Sequence, residues 1–413
     1  MKTTTLAEHY GQLLGLSKPW RVADVRLDLA GRLVDIRLMR DEGIDLPCPE
    51  CGRECPVYDH PEERSWRHLD TMQFETRLTA RVPRINCPDH GVKTASVPWA
   101  GKHSRFTAMF EAFAIQVIES CGNVTAAAEL LRADWKTVNA ILRGAVERGL
   151  ARRKLDDVRR IGLDEKSFRP RHDYATVLND LDGTRVLDVA RGRTEDSAVN
   201  MLESLPEDVR CRIEAVAMDM WPAFIAAVEN TLSQADIIHD RFHVKRMLND
   251  AVDKVRRGEQ AELRKHGDRT LNGCRYLFLK NESNLTDAAR ERFEALKSRE
   301  LRTSRAWAAK ETFEAFWQSK TEEEARSVFA RWYKWAVRSR LPPLVKAANT
   351  LANHLKNLVT YVKHHITNAA SEGLNSKIQL VIAEARGLRN FDRFRDRILF
   401  FCGRLDMLPI VTH

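Results

Sequence analysis

The stretch IGLDEKSF at residues 161–168 opens a run of short apolar segments, and its reading sets the fold. DYATVLNDL (173–181) and RVLDVARGR (185–193) follow, joined by a polar turn at Asp182-Gly183. These three segments read as consecutive strands. A helix is expected over about 195–204. EAVAMDMW (214–221) then reads as a buried strand ending in Asp219, with a helix starting at Pro222. DIIHDRFHV (236–244) reads as a fifth strand. Strands that alternate with helical stretches mark an α/β domain.

Three antiparallel strands followed by two more, each after a helix, give a ribonuclease H-like mixed sheet. In that sheet the first and fourth strands are neighbours, so their ends bring Asp164 and Asp219 together. Two carboxylates in one site repel unless a cation lies between them. Hard oxygen ligands favour Mg²⁺ or Mn²⁺. Two such ions would activate the attacking oxygen and stabilise the leaving 3′ oxygen of a phosphoryl displacement. A third carboxylate from a later helix would complete the site. Glu165 competes with Asp164, but successive strand residues face opposite ways, so only one is expected to point inward. Asp240 competes with Asp219, which is preferred because a continuous buried strand presents it.

Upstream, the eight cysteines divide unevenly: Cys48, Cys51, Cys55 and Cys87 lie in one short segment, and the other four are scattered through apolar surroundings. CPECG (48–52) and CPDHG (87–91) share the form Cys-Pro-x-ligand-Gly. A two-residue gap lets both ligands of a tight turn reach one ion, and the glycine lets the backbone curl with its N–H groups toward sulfur. Cys48, Cys51, Cys87 and His90 are therefore assigned to structural Zn²⁺. Cys55 competes for a place but lacks the knuckle form. Just before this segment, WRVADVRLDLAGRLVDIRLMR (20–40) alternates around Ala30-Gly31 and reads as a β-hairpin.

Residues 105–150 switch to helical periodicity. FTAMFEAFAIQVIESCG ends a first helix at Gly122, VTAAAELLR makes a second, and Asp134 is placed to cap a third. This order fits a helix-turn-helix, with Trp135, Lys136, Thr137 and Asn139 on the DNA-reading face of the third helix. A basic linker, RRKLDDVRR, follows.

The chain has 413 residues, 43% hydrophobic and 30% charged, which suits a soluble protein of two to four domains. No stretch approaches the roughly 20 apolar residues of a membrane span. The segment MKTTTLAEHYGQLLGL does not read as a secretory signal, so the cytoplasm is expected. The net charge of +9 fits a polyanionic partner. The expected divisions are a hairpin segment at 1–45, a zinc ribbon at 46–98, a helix-turn-helix at 105–150 and a catalytic domain at 158–406. Within the last, about 245–366 is helical and basic, with aromatic residues at 307–335 that suit a helical core.

The run TNAASEGLNSKIQLVIAEARGLRNFDRFRDRILFFCGRLD (367–406) resembles the C-terminal signature of a bacterial insertion-sequence transposase family, the L-three group. GLDEKSF, MDMWPAF and HDRFHVKRMLNDAVDKVRR look like its other blocks, as does the CPECG and CPDHG ribbon. The resemblance covers about 46–406. It implies a DDE-type catalytic domain interrupted by a helical insertion before the final acid. By motif position Asp164 and Asp219 match the two aspartates, and Glu372 matches the glutamate. The rival Glu384 lacks such a setting. Asn368 and Asn375 flank Glu372 and would orient it or touch substrate. The second knuckle departs from the family in carrying His90 where a fourth Cys would stand, which preserves zinc chemistry.

His243, Lys245, Arg386 and Arg389 are candidates for DNA phosphate, with Arg393, Arg395 and Arg397 nearby. The implied activity is binding of the terminal inverted repeats of an insertion sequence, 3′-end cleavage, and strand transfer into target DNA. The expected assembly is at least a homodimer on double-stranded DNA, at the bacterial nucleoid and away from membranes. Two other classes fit the same modules: a DNA-binding regulator without cleavage, and a ribonuclease H-like nuclease without strand transfer.

Overall fold

Alternating burial along residues 20–40 makes two strands that cannot stand alone, because an isolated hairpin buries too little apolar surface. The computed structural model, which describes residues 5–169, 173–239, 241–280, 285–365, 368–384 and 390–410, shows what completes them. Helix α1 (Leu6–Leu13) precedes β1 (Trp20–Asp28) and β2 (Leu33–Arg40), which pair antiparallel. The short β3 (Leu46–Pro47), β4 (Glu54–Cys55) and β5 (Val57–Asp59) follow, then β6 (Arg64–Thr71), β7 (Phe74–Ala80), β8 (Arg84–Cys87) and β9 (Gly91–Thr94). Strand β7 pairs parallel with β2, giving a sheet of order β1-β2-β7-β6. The hairpin is therefore not a segment separate from the ribbon region. Both share one core, in which Trp99 stacks edge-on against Trp20 at 4.9 Å and Trp66 at 5.5 Å.

Helices α2 (Ala108–Cys121), α3 (Val124–Leu130) and α4 (Trp135–Arg152) complete this first compact unit, residues 1–153 with 384–386 and 405–413. Each helix start has its cap: Thr107, Asn123 and Asp134 accept the backbone N–H of Phe110, Ala126 and Thr137. Gly122 ends α2 in the left-handed conformation, φ +71°.

The second unit, residues 154–383 and 387–404, is built on β10 (Arg160–Arg169), β11 (Asp173–Asp180) and β12 (Arg185–Arg191). After α5 (Glu195–Glu203) and α6 (Glu207–Arg210) come β13 (Ala215–Met218), α7 (Pro222–Thr231) and β14 (Asp236–His239). The order is β12-β11-β10-β13-β14, antiparallel among the first three strands and parallel from β10 to β14. This is the ribonuclease H-like arrangement, with the first and fourth strands adjacent.

The fifth strand is shorter than its sequence suggests. It stops at His239, and α8 (Arg241–Lys265) begins at once, because Val244, Leu248, Ala251, Val252 and Val255 bury one helical face. Helices α9 (Arg275–Leu279), α10 (Asp287–Lys297), α11 (Arg302–Thr312), α12 (Glu314–Trp317), α13 (Glu322–Arg338), α14 (Pro342–Asn353) and α15 (Leu355–His364) follow. Their core holds Trp307, Phe313, Phe316, Trp317 and Trp332 and extends to Ala215 and Ile238 of the sheet. Trp335 lies outside that core at 42% exposure. Helices α16 (Asn368–Glu384) and α17 (Phe391–Cys402) close the chain, and α17 packs on β12. Among the described residues, no helix is long and apolar enough to cross a membrane.

Candidate functional site

Strand β10 pairs with β13 only through Arg160, Ile161 and Gly162. The pairing stops at Gly162, and Asp164 sits two residues past the last pair. On the neighbouring strand Asp219 follows Met218, where β13 stops. Its Oδ1 accepts the Trp221 N–H at 3.0 Å, which fixes the turn into α7. β13 stops at Met218 while β10 runs on to Arg169, and continuing their parallel register sets Asp164 beside Asp219; both line one cavity of about 840 Å³.

The cavity is also lined by Glu165 and Lys166 from β10, Phe242, His243 and Arg246 from α8, and Asn375, Ser376 and Gln379 from α16. Strand alternation leads one to expect only Asp164 to point inward, yet Glu165 lines the same space. Arg193 holds Glu165 at 3.2 Å and stacks over Tyr174 at 4.1 Å and Trp221 at 4.8 Å. Lys166 Nζ donates to Asp164 Oδ2 at 2.7 Å.

The electrostatics of Asp219 reflect this crowding. Partial burial pushes its carboxyl above the ordinary range, and the charges of Glu165 and Asp164 push the same way; His243 and the Trp221 N–H pull against them. Behind it, His239 pairs in register with Met218 and is fully buried. Desolvation, reinforced by His354, takes its imidazole down to about 4, so it is neutral.

Helix α16 reaches the cavity through Asn375, Ser376 and Gln379, one face at helical spacing. Glu372 stands on this helix three residues before Asn375, as Asn368 begins it. The side chains of both lie outside the described residues, as do Asp240, Arg386 and Arg389. Asn375 Oδ1 is buried at the cavity without a hydrogen-bond partner among the described residues. Asp164, Asp219, Glu165 and the unpartnered Asn375 amide oxygen all line the cavity as hard-oxygen donors, the kind of lining that suits a divalent cation.

Lys245 does not reach the cavity. One residue is a 100° turn on a helix, so it points toward α12, with Nζ 3.8 Å from Glu314. Arg246, one turn after His243, reaches it instead; helical spacing within RFHVKR carried that signal. Arg395 is engaged by Asp188 at 2.8 Å, and Arg397 is buried at 7% exposure.

In the first unit the two knuckles occupy the turns between β3 and β4 and between β8 and β9. Gly52 and Gly91, each just after the second ligand, take φ of +75° and +66°. Among the described residues, Cys48, Cys51, Cys87 and His90 alone gather their ligand atoms within 4.8 Å of one another. Cys51 Sγ lies 3.8 Å from Cys87 Sγ, and His90 Nδ1 lies 3.9 Å from Cys48 Sγ and 3.6 Å from Cys87 Sγ. A tetrahedron with Zn–S bonds of ~2.3 Å has edges of about 3.8 Å, so the cluster fits Zn²⁺. Burial opposes ionisation of Cys87, but the N–H groups of Asp89 and His90 and the thiols of Cys48 and Cys51 hold it at about 7. Cys55 stands apart, its thiol donating to the Arg53 carbonyl at 3.2 Å and pushed up to about 11 by burial.

On α4, Lys136 is exposed and Trp135, Thr137 and Asn139 are half-buried. The Thr137 hydroxyl donates to Asp134 Oδ2 at 2.6 Å, so part of its hydrogen-bonding capacity serves the cap.

Comparison with known proteins gives three matching families. Residues 161–398 match the DDE domain model described as transposase of the ISL3 group. Residues 95–146 match the helix-turn-helix domain of transposase family ISL3, and 46–90 match the zinc-finger of transposase IS204/IS1001/IS1096/IS1165. The chain is 29% identical over 409 residues to the transposase for insertion sequence element IS1557 of Mycobacterium tuberculosis, covering 92% of this chain and 91% of that relative. It is 27% identical over 370 residues to the transposase for insertion sequence element IS1001 of Bordetella parapertussis, covering 88% and 90%.

Proposed function

The chain belongs to the ISL3 family of transposases, and from that premise we propose that Asp164, Asp219 and Glu372 form the acidic centre with which it cuts and joins DNA. It is a DDE transposase with a DNA-binding helix-turn-helix and a zinc ribbon. The observation that carries the residue assignment is the cavity shared by Asp164 of β10 and Asp219 just past the end of β13, with α16 lining it one turn beyond Glu372.

The three acids would hold two Mg²⁺ or Mn²⁺ ions. Bound there, the ions would supply Lewis-acid activation of water or a 3′-OH and charge neutralisation on the phosphate. Around them, Lys166 restrains the Asp164 carboxylate, while Arg193 keeps Glu165 oriented. His243 and Arg246 face the same space and suit contact with non-bridging phosphate oxygens. Asn375 offers an amide to orient Glu372 or a nucleotide.

Element-end recognition falls to the first unit. Lys136 suits a phosphate, and Trp135, Thr137 and Asn139 suit base edges at the start of the third helix. Synapsis of the two ends of one element implies at least a dimer on the DNA, at the nucleoid.

The test uses the full-length protein with Asp164→Asn, Asp219→Asn and Glu372→Gln, on a duplex carrying an element end. Mn²⁺-dependent nicking is expected to fall roughly 100-fold or more, with DNA affinity unchanged within about twofold. Unchanged cleavage by Asp164→Asn would refute the assignment. Joining of pre-cut ends to a target plasmid separates a transposase from a nuclease without strand transfer.

A further inference from the structure

We propose that the groove between α8 and α14 is a track for the DNA phosphate backbone as it leaves the catalytic cavity. This rests on the cavity's reading as the site of DNA chemistry. The groove has a volume of about 700 Å³ and shares His243 and Arg246 with the cavity, so the two spaces adjoin.

Along α8, residues 243, 246, 250 and 254 recur every three or four positions and form one helical face. Arg246 and Lys254 on that face, and Lys346 opposite on α14, are exposed and have no ion-pair partner among the described residues. Asp250 is the one carboxylate among the groove's lining residues, so cations outnumber it three to one before His243 is counted. From Arg246 to Lys254 the helix rises about 12 Å, the length of three to four base-pair steps of duplex. The floor between the cations is Met247, Ala251, Pro342, Pro343 and Ala347, and the two prolines bring no N–H to be satisfied. Unpaired cations beside an apolar floor suit a sugar-phosphate backbone, and adjacency to the reaction site selects DNA over an acidic protein.

The experiment compares full-length protein, Lys254→Glu/Lys346→Glu and the control Lys334→Glu/Lys356→Glu, which makes the same charge change elsewhere on the second unit. Binding to a duplex of about 30 base pairs is measured by fluorescence anisotropy in Ca²⁺ at several salt concentrations. The groove variant is expected to lose about two units of salt slope and roughly tenfold or more in affinity, with the control losing under half of either. Equal losses in both, or none in the groove variant, would overturn the proposal. Lys254→Ala/Lys346→Ala, checked by thermal melting, decides the matter if the Glu variant unfolds. The assay reads binding alone, so it fails or succeeds independently of cleavage by the Asp164 and Asp219 variants.

Discussion

Lys166 and Asp164 lie two residues apart on one strand face, and the ammonium donates to the carboxylate at 2.7 Å. The lysine side chain is 10% exposed and that of the aspartate 25%, so water screens the pair only partly. A fixed positive charge beside a metal-binding oxygen competes with any cation for it.

Lys166→Gln should therefore tighten divalent-ion binding while removing a restraint on Asp164. The Mn²⁺ concentration giving half of the thermal stabilisation is expected to fall roughly five- to tenfold. The rate of cleavage at saturating Mn²⁺ should fall. Lys166→Arg should resemble the parent in metal affinity. If Lys166→Gln binds Mn²⁺ no more tightly, the pair is not a competitor for the ion.

The zinc assignment separates Cys55 from its neighbours. Purified protein is expected to carry about one zinc per chain, and Cys55→Ser should keep it, because that thiol turns to the Arg53 carbonyl. Cys51→Ser and His90→Ala should each lose most of the metal and lower the melting temperature of the first unit. Metal analysis by mass spectrometry checks both; a zinc-free Cys55→Ser protein would reverse the ligand choice.

His68 links stability to pH in the first unit. Burial, aided by the charge of Arg67, takes its imidazole down to about 4, and the ring bonds to the Thr107 hydroxyl at 2.9 Å. The unfolded chain binds the extra proton between about 4 and 6.5. The stabilising contribution is thus complete above about 6.5 and lost as pH falls through 4, by about 3 kcal/mol at most. Urea midpoints at pH 5 and pH 7.5 should fall with acid more steeply for the parent than for His68→Gln. Parallel falls would show that another group governs the acid limb.

Asp134 caps the third helix through the Thr137 N–H at 2.9 Å. Asp134→Ala should cost about 1 kcal/mol, and Asp134→Asn much less. DNA affinity should drop in the Ala variant without a change in nicking per bound complex. A melting curve and an anisotropy titration measure the two effects; full retention of both would deny the cap its role.

Local chemistry is what the sequence could state outright. The knuckles were legible because two ligands and a glycine within five residues define a metal turn whatever surrounds them. The capped helices and the strand order were legible because periodicity and caps are local, and because three antiparallel strands leave few ways to add two more. What the sequence could not decide depended on where elements end in space. Past its last pairing with β13, β10 brings Glu165 to the cavity as well as Asp164. The early end of β14 sets the phase of α8, so that His243 and Arg246 face the cavity and Lys245 faces Glu314. The hairpin's loss of independence, through the parallel pairing of β2 with β7, is of the same kind. Alternation and helical phase are read relative to neighbours, and those neighbours, distant in the chain, are fixed only when the cores close.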